Sequence, residues 1–298
     1  MAKIAIFTER STLRMAAELN SLFNFRQVAL EMGHTLDFIF RDDIKYIKNY
    51  DAIFIRALTD PLNNSYIVSR LAEMNGIRVI DKSSDIRICS DKVNMYLHLQ
   101  KADVPHPTTV FLKNDELTIE NARDLFESTG IPLVLKAPNS SFSAYVDKAS
   151  TPDEFVRIGK KFLRRSDIIV VQQYLPSRFD WRVVLLDGKV ISVVKYIMHS
   201  KTWKIVDHDH EGKLLDSTVE AMEIGQVDPR LLDIALKAGN SIGTGLYGVD
   251  LKEVDNEYYV IEVNDNPNID HGLEDEKSPY IYEWIIKYLA GEPFEGLS

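Results

Sequence analysis

Apolar runs and amphipathic stretches alternate from the first residues of the chain. Residues 3–7 (KIAIF) read as a buried strand, and 15–32 carry a helical period that stops at Gly33. Short apolar runs follow at 35–40 and 51–55. A helix at 65–75 ends at Gly76, and 77–80 is the next strand. Strands separated by single helices predict a small parallel sheet with helices on its faces. The first strand leads into Thr8-Glu9-Arg10-Ser11 and not into a G-x-G-x-x-G turn, so a dinucleotide-dependent oxidoreductase is not expected.

The chain leaves this unit around 83–90. A helix from 90 to about 102 is broken by Pro105 and Pro107, and strand 108–112, helix 119–129, strand 133–136 and strand 167–171 follow. Between the last two strands, Thr151-Pro152-Asp153-Glu154 opens a helix with a capping box and a proline in the first turn. The final third reads as two hairpins separated by a loop and a helix. Asp228-Pro229 and Ser278-Pro279 are further helix starts, and Gly291 and Pro293 end the last helix. A length of 298 residues suggests two domains or three small ones, and the segments above divide at 1–88, 89–175 and 176–298.

Composition narrows the partners. With 35 Lys+Arg against 45 Asp+Glu the formal charge is −10, which argues against a general grip on nucleic acid. Cys89, the one cysteine, makes no internal disulfide and no multi-cysteine zinc site. No apolar run approaches the roughly 18–20 residues of a membrane span. The start, MAKIAIFTER, turns polar too early for a signal peptide. The expected compartment is the cytoplasm, with neither membrane nor nucleic acid as a partner.

The chemistry concentrates in 247–268, YGVDLKEVDNEYYVIEVNDNPN, which reads as a hairpin. A two-residue turn would set Asp250 opposite Ile261. A three-residue loop of Asp255, Asn256 and Glu257 sets Leu251 opposite Ile261, Val249 opposite Val263 and Asp250 opposite Glu262, with Asn264 further along that face. Register follows the apolar pattern, so the second pairing is expected. Opposed carboxylates repel, and a bound cation removes the penalty. Two carboxylates and an amide oxygen suit Mg²⁺, although a solvated acidic face would read the same way.

Other residues bear on this. Lys136 ends the apolar run Pro132-Leu133-Val134-Leu135, where a half-buried ammonium calls for an anion; a snorkelling edge lysine is the plainer alternative. Lys92 lies in the first turn of its helix, where the dipole attracts anions. Asp187-Gly188 is a two-residue turn, which puts Asp180 opposite Lys195 and Arg182 on a face with Val184 and Val193. That arrangement is either a clamp for a phosphoryl or carboxylate group or a structural Asp180–Lys195 pair.

The ordered set Ser90-Asp91-Lys92, Leu135-Lys136, Val171-Gln172-Gln173-Tyr174-Leu175, Asp180-Trp181-Arg182, Gly248-Val249-Asp250 and Glu262-Val263-Asn264 resembles the ATP-grasp superfamily, and within it the RimK-like amino-acid ligases. The resemblance covers nearly the whole chain. It implies the ATP-grasp fold, a small Rossmann-like α/β N-terminal unit ahead of two α+β lobes that hold ATP. It implies that Lys92 and Lys136 hold phosphates, that Gln172, Gln173, Tyr174 and Leu175 form the adenine-reading linker, and that Asp180 lies near the ribose. Arg182 and Lys195 would face the transferred phosphoryl, while Asp250, Glu262 and Asn264 carry Mg²⁺ or Mn²⁺. The implied reaction is ADP-forming ligation of a carboxylate to an amine through an acyl phosphate. The acceptor is an amino acid, a peptide or a protein tail, and the enzyme is expected to be a homo-oligomer.

Departures are visible. Asn139-Ser140-Ser141-Phe142-Ser143 replaces the family's glycine-rich loop, Gln173 stands where glutamate is usual, and Lys195-Tyr196 replaces a basic pair. They leave two alternatives, a kinase that stops at a phosphorylated small molecule and a silent nucleotide-binding module. Asp265 and Asp270 are candidates for attracting a cationic amine, and Arg56 for a substrate carboxylate. Asp207-His208-Asp209-His210-Glu211-Gly212 begins like a calcium loop, but its twelfth position is Thr218, so it reads as an ordinary loop.

Overall fold

The computed structural model describes residues 1–14, 16–139, 145–198, 206–208, 214–216 and 218–297, with backbone alone at 13, 206–208 and 214–216. The first unit comprises β1 (Lys3–Thr8), α1 (Ala16–Glu31), β2 (Thr35–Ile39), β3 (Ala52–Arg56), α2 (Asn64–Met74) and β4 (Arg78–Ile80). Its sheet is parallel in the order β2-β1-β3-β4, as the strand–helix alternation predicts. Two short helices follow, α3 (Ser83–Cys89) and α4 (Lys92–Lys101), and the Asp91 carboxylate caps α4 by accepting the N–H groups of Val93 and Asn94.

The second unit is β5 (Thr109–Leu112), α5 (Ile119–Thr129), β6 (Leu133–Lys136), β7 (Val146–Ala149), α6 (Pro152–Phe162) and β8 (Ile169–Gln173). The strands form an antiparallel sheet in the order β5-β8-β6-β7. Leu133, Leu135 and Val171 pack with Phe126, Phe155 and Phe162 of the two helices. The other face aligns Thr109, Gln172, Val134, Lys136 and Lys148. Strand β7 had no sequence signal because Val146-Asp147-Lys148-Ala149 is too short and polar to show a period.

The third unit contains β9 (Phe179–Leu186), β10 (Lys189–Ile197), the small hairpin β11 (Val206–His208) and β12 (Leu214–Asp216), β13 (Thr218–Met222), α7 (Pro229–Ile242), β14 (Leu246–Val254), β15 (Glu257–Asn264) and α8 (Ile281–Ala290). The main sheet runs β13-β10-β9-β14-β15. On one face Trp181, Val183, Val249 and Val263 meet Leu231, Ala235 and Ala238 of α7. On the other, Val184, Leu186 and Leu246 share a core with α8 and with Ile4, Phe25 and Phe54 of the first unit. Helix α8 starts at Ile281, past the Ser278-Pro279 expected to open it, because those residues form a turn in which the Ile281 N–H reaches the Ser278 carbonyl.

Both hairpins correct the expected registers. Asp255-Asn256 is a two-residue turn with both φ angles positive (52° and 63°), so the pairing near the turn sets Leu251 opposite Val260, not Ile261. A bulge then absorbs Ile261, and Asp250 faces Glu262 as the apolar pattern requires. In the other hairpin a bulge at Ile191 shifts the pairing, so Asp180 opposes Tyr196, Arg182 opposes Val194 and Lys195 opposes Trp181. The run Val190-Ile191-Ser192-Val193-Val194 is buried on both faces and has no alternation from which its register can be read.

The edge strand β15 is covered by α4 and the segment after it: the Val260 N–H donates to the Pro105 carbonyl, and the Tyr96 hydroxyl donates to the carbonyl of the bulged Ile261 at 2.5 Å. The left-handed turn gives a direct test. Asn256→Val should lower stability by about 1–2 kcal/mol, read by thermal or urea unfolding, while Asn256→Gly should not.

Candidate active site

Three elements converge on the space between the second and third sheets. Lys92 at the start of α4 is buried and pairs with Glu262 Oε1 at 2.9 Å. Its N–H donates to the Pro138 carbonyl, tying α4 to the segment that follows Lys136. Lys136 is also buried, donates to the Tyr96 hydroxyl at 3.3 Å and lies over the Tyr96 ring. Burial pulls its ammonium down to about 8, against the opposing pull of Glu262 and Asp180. Glu262 shows the reverse balance: burial pushes it up, but Lys92 and Lys136 outweigh that and hold its carboxyl below the usual range.

Asp250, opposite Glu262, is clamped by Arg182 through Nε at 2.7 Å and Nη2 at 2.9 Å, and Asn264 Nδ2 donates to Asp250 Oδ2 at 3.2 Å. Such a fork-on-carboxylate geometry is specific to arginine. Burial, then Glu262 and Asp180, raise the Asp250 carboxyl, and the Arg182 charge opposes them. The two carboxylates and the amide expected to bind metal therefore share one face, within reach of a lysine and an arginine.

Asp180 is buried on that face, but its partner is Lys252 at 2.5 Å, with the Ser177 hydroxyl also donating to it at 3.0 Å. Lys195 is not brought there. It stands on the opposite face, its ammonium over the rings of Trp181 (4.6 Å) and Phe179 (5.0 Å), and the residue beside Arg182 is Tyr196. The expected Asp180–Lys195 pairing and the Arg182–Lys195 clamp are thus replaced by Asp180–Lys252 and Arg182–Tyr196.

In the linker, Gln172 is buried and donates to Thr109 Oγ1, the Gln173 N–H donates to the Thr108 carbonyl, Leu175 is buried, and the Tyr174 ring lies 4.4 Å from the Lys148 ammonium. No motif marks Lys148, Lys252 or Tyr96, and Tyr196 stands out only beside Lys195. Of the first three, Lys252 alone carried a positional signal, two residues from Asp250 on the same strand and so on the same face.

Arg56 Nη1 donates to Asn266 Oδ1 and to the Pro267 carbonyl, each at 2.7 Å, so it pins the segment after β15. Gly248 lets that segment close over β14, since a Cβ there would lie 2.8 Å from Pro267. Burial raises Asp265 to about 7 and Asp270 to about 6. Cys89 is buried, and burial pushes its thiol well up, which suits packing and not nucleophilic chemistry. Ser140 to Ser143 and Asp209 to Gly212 lie outside the described residues. Among the described residues no helix is long and apolar enough to cross a membrane.

A family model for the RimK-like ATP-grasp domain matches residues 89–285. The chain belongs to the RimK-like ATP-grasp family. It is an ATP-dependent ligase of the carboxylate–amine type. Its relatives include the α-aminoadipate–LysW ligase LysX of Sulfurisphaera tokodaii, 27% identical with 82% of this chain and 85% of that one covered. The glutamate–LysW ligase ArgX of Sulfolobus acidocaldarius is 24% identical, over 75% of this chain and 76% of the other. Among solved structures, D-alanine–D-alanine ligase from Bacillus anthracis has the same fold, with a TM-score of 0.72 at 17% identity, covering 98% of this chain and 97% of that one.

The buried Asp180–Lys252 pair of this RimK-like chain gives a stability test. Lys252→Met strands the Asp180 carboxylate and should cost about 3–5 kcal/mol in chemical denaturation. The double variant Asp180→Leu, Lys252→Met should recover most of that loss.

Proposed function

We propose that this ligase activates the carboxylate of an amino acid or peptide with ATP and joins it to an amine. Lys92, Lys136, Lys148 and Lys252 hold the ATP phosphates, and the linker 172–175 receives the adenine. The substrate carboxylate attacks the γ-phosphorus and ADP leaves, giving an acyl phosphate. The amine then attacks the acyl carbon, phosphate departs, and the amine proton passes to solvent. The work of the chain is positioning and charge neutralisation, with no covalent enzyme intermediate. Arg182 orients and stabilises the transferred phosphoryl group.

The donor chemistry of Asp250, Glu262 and Asn264 fits a divalent cation, since two carboxylates and an amide stand on one face, with Arg182 and Lys92 already paired to the two acids. The cation, when bound, supplies Lewis-acid charge to the phosphates. The observation carrying the reading is that paired acidic face, set against buried Lys92 of α4 and buried Lys136 of the second unit. The names of the relatives support an α-amino dicarboxylate or a related amino acid as one substrate, and a small carrier protein as one kind of acceptor. A homo-oligomer acting in the cytoplasm completes the reading.

ADP release with Mg²⁺-ATP and a panel of amino-acid and peptide pairs tests it. Release requiring both an acid and an amine, with an amide product, is the expected result. A stable phosphorylated product from one substrate would indicate a kinase, and ATP binding without turnover a silent module. Glu262→Gln should lower turnover about 100-fold with the melting temperature held within a few degrees.

Lys136 sets a pH dependence. Its ammonium is lost as pH rises through about 8, so ATP affinity should fall above that pH, by at most about tenfold per unit, in calorimetric titrations. Lys136→Arg should keep affinity level over the same range, since arginine stays charged. For stability the sign is opposite. A folded pKa depressed below the unfolded value makes the charged lysine costly, and that cost fades between pH 8 and 10.5.

A further inference from the structure

Arg182 is held from two sides. While Nε and Nη2 clamp Asp250, Nη1 donates to the Tyr196 hydroxyl oxygen at 3.1 Å, and the guanidinium lies 4.7 Å from the Tyr196 ring centre. The Tyr196 hydroxyl donates in turn to Glu274 Oε1 at 2.5 Å, and Glu274 Oε2 accepts the Asp270 N–H at 2.9 Å. Glu274 is 1% exposed, and Ser192 Oγ donates to its backbone carbonyl at 2.8 Å, fixing it from the sheet side. A carboxylate so buried is costly unless a cation compensates it. Arg182 and Arg56 both feel its charge. The ligation chemistry derived above uses neither Tyr196 nor Glu274.

We infer that Tyr196 and Glu274 are positioning residues for Arg182, linking its orientation to the 270–275 loop. Arg182 donates to both oxygens of Asp250 and Asn264 to one of them, so a divalent cation held by Asp250 would share those oxygens with the clamp. The Tyr196 contact is independent of Asp250 and keeps the guanidinium plane in place. Because Glu274 also holds the Asp270 N–H, a displacement of the loop reaches Arg182 through two hydrogen bonds. This rests on the ligase reading, in which Arg182 faces the transferred phosphoryl.

The test uses the full chain in wild-type, Tyr196→Phe, Glu274→Gln and doubly substituted forms, labelled with [15N]arginine. The Arg182 Nε–H resonance is identified by its loss in Arg182→Lys. Both single variants should speed exchange of this proton at least tenfold. They should also lower kcat for ADP release about tenfold, leave KM for ATP within twofold, and hold the melting temperature within a few degrees. The double variant should be no worse than either single one, as for residues acting through one group. Unchanged exchange and kcat would overturn the inference, as would melting temperatures that fall additively with kcat retained. If wild-type protein releases no ADP with any substrate pair, the ligase reading fails separately, and the exchange rates alone decide the relay.

Discussion

Two carboxylates sit directly opposite one another on β14 and β15, and much of the surrounding arrangement answers their repulsion. Asp250 is neutralised from within its own sheet by Arg182, and Glu262 from α4 by Lys92. The pair can share one face because each has a cation at hydrogen-bonding distance and an uncompensated buried carboxylate would cost several kcal/mol. The charges are balanced yet unequal in kind. One acid is held by a planar fork in its own sheet, the other by a point charge brought from a different element. In the proposed function a ligand rich in negative charge would compete for the lysines and a divalent cation for the acids.

The scaffold delivers these groups through shared packing. Helix α8, late in the chain, packs in one core with the first parallel sheet and the inner face of the third. The N-terminal unit is therefore built partly from C-terminal sequence. Helix α4 closes the open edge of β15 and carries Lys92, while Tyr96 on the same helix joins the bulged carbonyl of Ile261 to Lys136 of the second unit. A bulge that corrects a register thus also exposes a backbone acceptor to the helix linking two lobes.

Legibility differed by residue for physical reasons. Lys92 and Lys136 follow from cap chemistry and an apolar run, and Asp250, Glu262 and Asn264 from the matching of apolar faces, a signal that survives the difference in turn length because the bulge restores the register. Lys195 lies on the face opposite to the one its turn predicts. Its strand is apolar at consecutive positions, both faces being buried, so a one-residue slip leaves no trace in the pattern while sending each later side chain to the other face. Lys148 lay on a strand of four polar-rich residues with no period at all. Tyr196 and Glu274 are 78 residues apart, and only folding brings them to hydrogen-bonding distance.

In the sequence itself, the parallel first sheet and the capped helices follow from local periodicity and cap chemistry, and the pairing of Asp250 with Glu262 follows from the matching of apolar faces, although the turn is two residues long and a bulge at Ile261 restores the register. Only the tertiary structure decided that Asp180 pairs with Lys252, that Lys195 turns away, and that Arg182 is held between Asp250 and Tyr196. Those contacts depend on bulges and on packing across distant segments, where burial on both faces erases the alternation that marks a strand's orientation.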